Sequence, residues 1–165
     1  MQSLGGSACV KHFACNNQEY NRTRNDSRLS ERALREIYLK GFEIAVKESA
    51  PKNLMTSYNL INGVWGHYNY DLVTVILRGE WGYKGNVMTD WFIQYQESPE
   101  FENIWNNAYR IRAQVDLYMP GSEWNDRYEP DKSIVESFNS IDGITLGELQ
   151  RSAKNILNMI LDIKY

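Results

Sequence analysis

A chain of 165 residues with 42% apolar, 24% charged and 13% aromatic residues can build one packed domain or part of a larger one. That composition excludes a disordered, collagenous or repeat architecture. Eighteen Lys and Arg against 21 Asp and Glu leave a formal charge of -3, so no basic field favours nucleic acid, and no run reaches the roughly 18 apolar residues of a membrane span. The first residues lack the layout of a signal peptide, and the expectation is a soluble, cytoplasmic chain with neither nucleic acid nor membrane as partner.

In chain order, the run Ala8, Cys9, Val10 ends in Lys11 and His12 and reads as a buried strand closing in polar residues. A polar loop over 16–28 follows. Ser30 then caps a helix that places Leu34, Ile37, Tyr38, Phe42, Ala45 and Val46 on one face before Pro51 closes it. A second run, Leu54 to Tyr58, precedes a turn at Asn62-Gly63 and a helical stretch from about Tyr70 to Leu77. The third run, Asn86 to Thr89, ends at Asp90, and Ser98-Pro99-Glu100 opens a helix bearing Phe101, Ile104, Trp105 and Ala108. The fourth, Val115 to Met119, ends in Pro120-Gly121. A helix from Asp131 follows, and a capping box of Thr145 and Glu148 opens the last helix, with Leu149, Ile156, Leu157 and Ile160 on one stripe.

Strand and helix thus alternate four times, with one extra helix at the end, which predicts an α/β fold of parallel strands joined by right-handed crossovers. Two arrangements satisfy this pattern: an open doubly wound sheet, and part of an eight-stranded βα barrel, whose full form needs roughly 250 residues.

In either fold the chemistry belongs at the carboxyl ends of the strands. Lys11 and His12, Tyr58, Asp90 and Asp116 are the candidates there, a cationic pair, a phenol and carboxylates suited to an oxygen-rich neutral ligand such as a sugar. Each also has a plainer reading, as a solvated strand end, a core phenol or a capping aspartate. Glu31, Glu36 and Glu43 read as helix ion pairs, and His67 as a surface loop residue. No Walker-type loop or dinucleotide glycine fingerprint follows any strand, so a nucleotide-binding α/β domain is disfavoured. Cys9, Cys15, His12 and His67 have no metal-ligand spacing; both thiols read as free, and no metal or cofactor is expected.

Six blocks in one order narrow the choice: "ACVKHFACNNQEYNR" over 8–22, "SERALREIYLKGFE" over 30–43, "MTSYNLING" over 55–63, "ILRGEWGYKGNVMTDW" over 76–91, "VDLYMPG" over 115–121 and "TLGELQRSAKNILNMIL" over 145–161. Together they resemble the β-glucosidase branch of glycoside hydrolase family 3. The family's other branch, with a Pro-Gly-His-Gly loop after Lys-His-Phe, is disfavoured, because Ala14 and Cys15 follow Phe13.

The resemblance implies that residues 1–165 are a single partial domain, the carboxyl-terminal half of a (β/α)8 barrel, with Met1 internal to a longer protein. It implies a retaining mechanism with Asp90 as nucleophile. Lys11 and His12 would bind sugar hydroxyls, Arg22 would support that pair, Tyr58 would stand beside the nucleophile, and Met55 and Trp91 would line the subsite and its aglycone side. The ligand would be a β-glucoside or a short β-linked oligosaccharide. The acid/base carboxylate of the family lies on a second domain, so weak or no hydrolysis is expected of this chain by itself. The alternative is a catalytically silent half-barrel that binds sugar, associates with itself or assembles with a missing half through its strand edges. Two departures from the family stand out: Asn86 where an apolar strand residue is usual, expected to weaken the strand core, and Phe92 where glycine is common, expected to narrow the cleft.

Overall fold

The computed structural model describes residues 2–93, 107–120 and 133–163, apart from 139 and 142. All four expected runs form strands: β1 (Cys9–Phe13), β3 (Asn53–Thr56), β6 (Asn86–Trp91) and β7 (Leu117–Met119). They make one sheet in the order β1-β3-β6-β7, every pair parallel. Each of these strands therefore lies beside the next one in the chain. A doubly wound sheet reverses its order at a switch point, whereas an unreversed sequence of neighbours is how a βα barrel curls. The sheet is α/β and barrel-like in topology.

Register fixes what each face carries. Leu54 sits beside Val87, and both join Phe13, Leu39, Leu72, Leu77 and Val115 in the core between sheet and helices. Asn53 beside Asn86 and Met55 beside Met88 occupy the other face, because strand side chains alternate. The departure at Asn86 has a local answer. Its Nδ2 donates to Asn53 Oδ1 at 2.8 Å, and Asn53 Nδ2 in turn donates to Ser7 Oγ, so a polar ladder crosses three segments of chain.

The first helical region begins as expected, with Ser30 Oγ accepting from Ala33 N at 3.2 Å at the start of α1 (Glu31–Ala33). The expected apolar stripe follows it only in part, with Leu34 and Val46 buried and Phe42 packed on the core but Ile37 and Tyr38 exposed. Leu34–Tyr38 winds as a π turn, closed by Leu39 N donating to Leu34 O at 2.8 Å, before α2 (Lys40–Ser49) resumes. One added residue per turn rotates the following side chains about the axis. Leu39, 0% exposed, takes the core position, and Ile37 is left 68% exposed. Ala50, in the left-handed conformation at φ 41, ends the helix one residue before Pro51.

The polar loop and the Asn-Gly turn hold structure that the apolar pattern does not announce. Asp26–Ser27 (β2) pairs in parallel with Leu60–Ile61 (β4), which forms a hairpin with Val64–Trp65 (β5). Asn62 and Gly63, at φ 51 and 91, make the two-residue turn, both in the left-handed region that a tight hairpin requires. The next helical stretch, Asp71–Glu80, is also π-wound and runs beyond the expected Leu77; Asn69 Oδ1 accepts from Leu72 N at 2.9 Å at its start.

Beyond β6, α3 (Asn107–Arg112), α4 (Ser133–Ser137) and α5 (Leu146–Asp162) are described. The start signals at Ser98-Pro99-Glu100 and at Asp131, with Phe101, Ile104 and Trp105, lie outside the described residues. Thr145 and Glu148 form the expected capping box of α5. Its expected stripe is only partly buried: Leu149 packs on Ala108, Ile111 and Ile144, while Leu157 and Ile160 are exposed.

Candidate functional site

Three strand ends converge on one carboxylate. Asp90 stands at the carboxyl end of β6, where its buried side chain keeps only a narrow opening to solvent. From β1, the His12 imidazole Nε2 lies 3.3 Å from Asp90 Oδ2. Trp91 N donates to Asp90 Oδ1 at 2.7 Å, so the two carboxylate oxygens face different partners and the group is held in one orientation.

Tyr58 enters from the loop after β3. Its hydroxyl donates to Trp91 O at 2.6 Å and interacts with the Asp90 carboxylate. Burial, then the negative charge of Asp90, push this phenol up to about 12, against the opposing effect of Arg22. At neutral pH it is therefore a fixed proton donor beside the carboxylate. The Arg22 guanidinium lies 4.7 Å above the Tyr58 ring and pairs with Glu19 Oε2 at 2.6 Å. Its contacts thus run to the phenol.

Lys11 is exposed within β1, one residue before His12. Met55 is buried in β3, on the same sheet face as Met88. Trp91 is half-buried at the rim. His12, Tyr58 and Trp91 thus gather around Asp90, with Arg22 over the Tyr58 ring, an arrangement of carboxylate, imidazole and phenol that suits a neutral, hydroxyl-rich ring. Glu19, which carries no signal in the sequence beyond its Glu-Arg spacing of three, anchors Arg22.

Two expectations are corrected. Asp116 precedes β7 and so lies at the amino end of that strand, away from the rim. It is a buried junction: its carboxylate pairs with Arg78 at 2.6 Å and accepts from Val87 N, Ser152 Oγ and Asn155 Nδ2, each at 3.0 Å. An aspartate at the start of an apolar run reads like one at its end unless the strand's first residue is known. His67 is not a surface residue but 0% exposed, stacked against Trp65 and packed on Tyr68, with no hydrogen-bond partner on either ring nitrogen among the described residues. Aromatic neighbours on both sides in sequence supply the burial that its polarity concealed.

The helix glutamates pair as expected, Glu31 with Arg35, Glu36 with Arg32, and Glu43 with both Lys40 and Lys47. Cys9 and Cys15 are free thiols. Among the described residues no cluster of His, Cys, Asp and Glu could hold a metal ion, and no helix is long and apolar enough to cross a membrane.

Against this geometry, the pattern of the glycosyl hydrolase family 3 N-terminal domain matches residues 1–159. A β-glucosidase of Ruminococcus albus is 44% identical over 162 residues, which cover 98% of this chain and 17% of that protein. An exo-α-(1→6)-L-arabinopyranosidase of Bifidobacterium breve is 40% identical over 161 residues, 97% of this chain and 19% of that protein. Among solved structures, β-glucosidase 3B of Thermotoga neapolitana in complex with glucose superposes with a TM-score of 0.83 at 39% identity, covering 98% of this chain and 21% of that one. The chain thus spans roughly a fifth of the length of the relatives it matches.

Proposed function

The chain belongs to glycosyl hydrolase family 3, and on that premise we propose that it carries the nucleophile half of a retaining β-glucosidase site, with Asp90 as the attacking group. The observation that carries this reading is the fixed carboxylate at the end of β6, with His12 Nε2 3.3 Å from one oxygen and Trp91 N donating to the other. Asp90 attacks the anomeric carbon, the bond from that carbon to the leaving oxygen breaks, and a glycosyl ester forms. Water then cleaves the ester with retention of configuration. Lys11, His12 and Arg22 grip or support the sugar end, Met55 and Trp91 wall it, and protonated Tyr58 stays beside the nucleophile.

The proton donor for the leaving group is assigned by the family resemblance to a second domain. The step that these residues can perform themselves is glycosylation by a substrate whose leaving group needs no proton. A β-glucoside is the ligand the relatives favour, and the arabinopyranosidase among them marks glycone identity as the finer question.

The test is rapid mixing of the folded chain with 2,4-dinitrophenyl β-D-glucoside. A burst approaching one equivalent of dinitrophenolate, abolished in Asp90→Asn, is the expected result. A rise in melting temperature with gluconolactone but no burst would replace this reading with that of a silent sugar-binding half-barrel.

A further inference from the structure

Phe92 combines two features that its fold does not require. Its backbone lies in the left-handed region at φ 59, which favours glycine, and its large apolar side chain is 42% exposed. Its neighbours behave differently: Asp90 and Ile93 are buried and Trp91 is half-buried. Nor is the residue on a loose loop. Trp91 is the last position of β6 in register with β7, opposite Met119, and Phe92 N donates to Met119 O at 3.1 Å. The ring is therefore presented from a backbone pinned on two strands, at the rim where the chemistry sits.

Distance decides what it can meet. Two residues of chain span at most about 7 Å, so Phe92 stands within about one sugar ring of Asp90. In the bound substrate, before attack, the anomeric carbon faces the Asp90 carboxylate with the glycone in the near space, and the group beyond the glycosidic oxygen, on the side of that carbon opposite Asp90, occupies the far space. A flat apolar ring suits the CH face of a pyranose or an aryl group by stacking.

We propose that Phe92 is a specificity-determining residue that stacks on the leaving-group side of the substrate and favours ring-shaped aglycones, aryl or pyranosyl, over small alkyl ones. This rests on the glycosidase reading above.

The test measures calorimetric binding of methyl and phenyl 1-thio-β-D-glucosides, which are not hydrolysed, to the wild-type chain and to Phe92→Gly and Phe92→Tyr. In Phe92→Gly the affinity for the phenyl compound falls about ten-fold, equivalent to about 1.4 kcal/mol, while that for the methyl compound stays within about two-fold. Phe92→Tyr keeps the phenyl preference. The melting temperature of Phe92→Gly equals or exceeds that of the wild type, since glycine adopts the left-handed backbone freely. Equal loss for both ligands, or no loss for either, overturns the inference and leaves the glycosidase reading intact. A fall of several degrees in the melting temperature of Phe92→Gly also overturns it, by showing that the ring serves packing. A wild-type chain that binds neither compound overturns both.

Discussion

His67→Phe should flatten the dependence of stability on pH below neutrality. The His67 ring is fully buried, and burial first, then the positive charge of Arg110, lower its pKa from 6.5 to about 3. The folded chain therefore keeps the ring neutral while the unfolded chain binds a proton below pH 6.5. Between pH 6.5 and 3 the unfolded state holds more protons, so stability is lost as pH falls through that window and is fully present above it. Each pH unit below 6.5 removes about 1.4 kcal/mol, so the loss between pH 7 and pH 5 is about 2 kcal/mol. Phenylalanine has nearly the shape of the imidazole and suits the ring contacts with Trp65 and Tyr68. Its effect on absolute stability mixes the removal of two ring nitrogens that have no partner among the described residues with some overpacking, so the pH difference is the informative quantity. Urea unfolding of both proteins at pH 7 and pH 5 gives it directly, because every other titrating group is common to the two. The wild type should lose about 2 kcal/mol more than the variant. Equal losses would refute a buried, neutral His67.

Other substitutions test the remaining structure. Asp116→Asn strands the buried Arg78 guanidinium and should cost about 3–5 kcal/mol in urea unfolding, whereas a surface aspartate would cost less than about 0.5. Leu39→Ala should cost about 2–5 kcal/mol and Ile37→Ala less than about 0.5, an order that an uninterrupted α-helix with the expected stripe would reverse. Asn86→Leu should destabilise by about 1–3 kcal/mol by removing the donor to Asn53 Oδ1, and a gain in melting temperature would show that the polar ladder is dispensable. Tyr58→Phe should slow the dinitrophenolate burst without lowering the melting temperature by more than a few degrees; an unchanged burst rate would remove the phenol from the chemistry.

The strands were legible because each is a short apolar run ending in polar residues, and β1, β3, β6 and β7 fall on those runs. Hairpin β4–β5 announced only its Asn-Gly turn, since strands of two residues show no alternation. The stripe on the first helix failed at Ile37 and Tyr38 for a different reason. It requires a period of 3.6, and the π turn at Leu34–Tyr38 breaks that period with nothing in Leu-Arg-Glu-Ile-Tyr to signal the extra residue. The meeting of Asp90 and His12 at strand ends was readable, because each closes an apolar run that the structure keeps as a strand. For Asp116 the same rule picked the wrong end, and three-dimensional partners on β6 and α5 decided its role. The Arg22 contact with Tyr58 joins residues 36 positions apart, beyond any local pattern.

The central claim is that Asp90 is a working nucleophile. Intact-mass analysis of the chain after incubation with 2,4-dinitrophenyl 2-deoxy-2-fluoro-β-D-glucoside, followed by peptide mapping, tests it most directly. One added fluoroglucosyl mass on Asp90, missing from Asp90→Asn, is the predicted result. An unmodified chain that is demonstrably folded, or an adduct on any other residue, would contradict it.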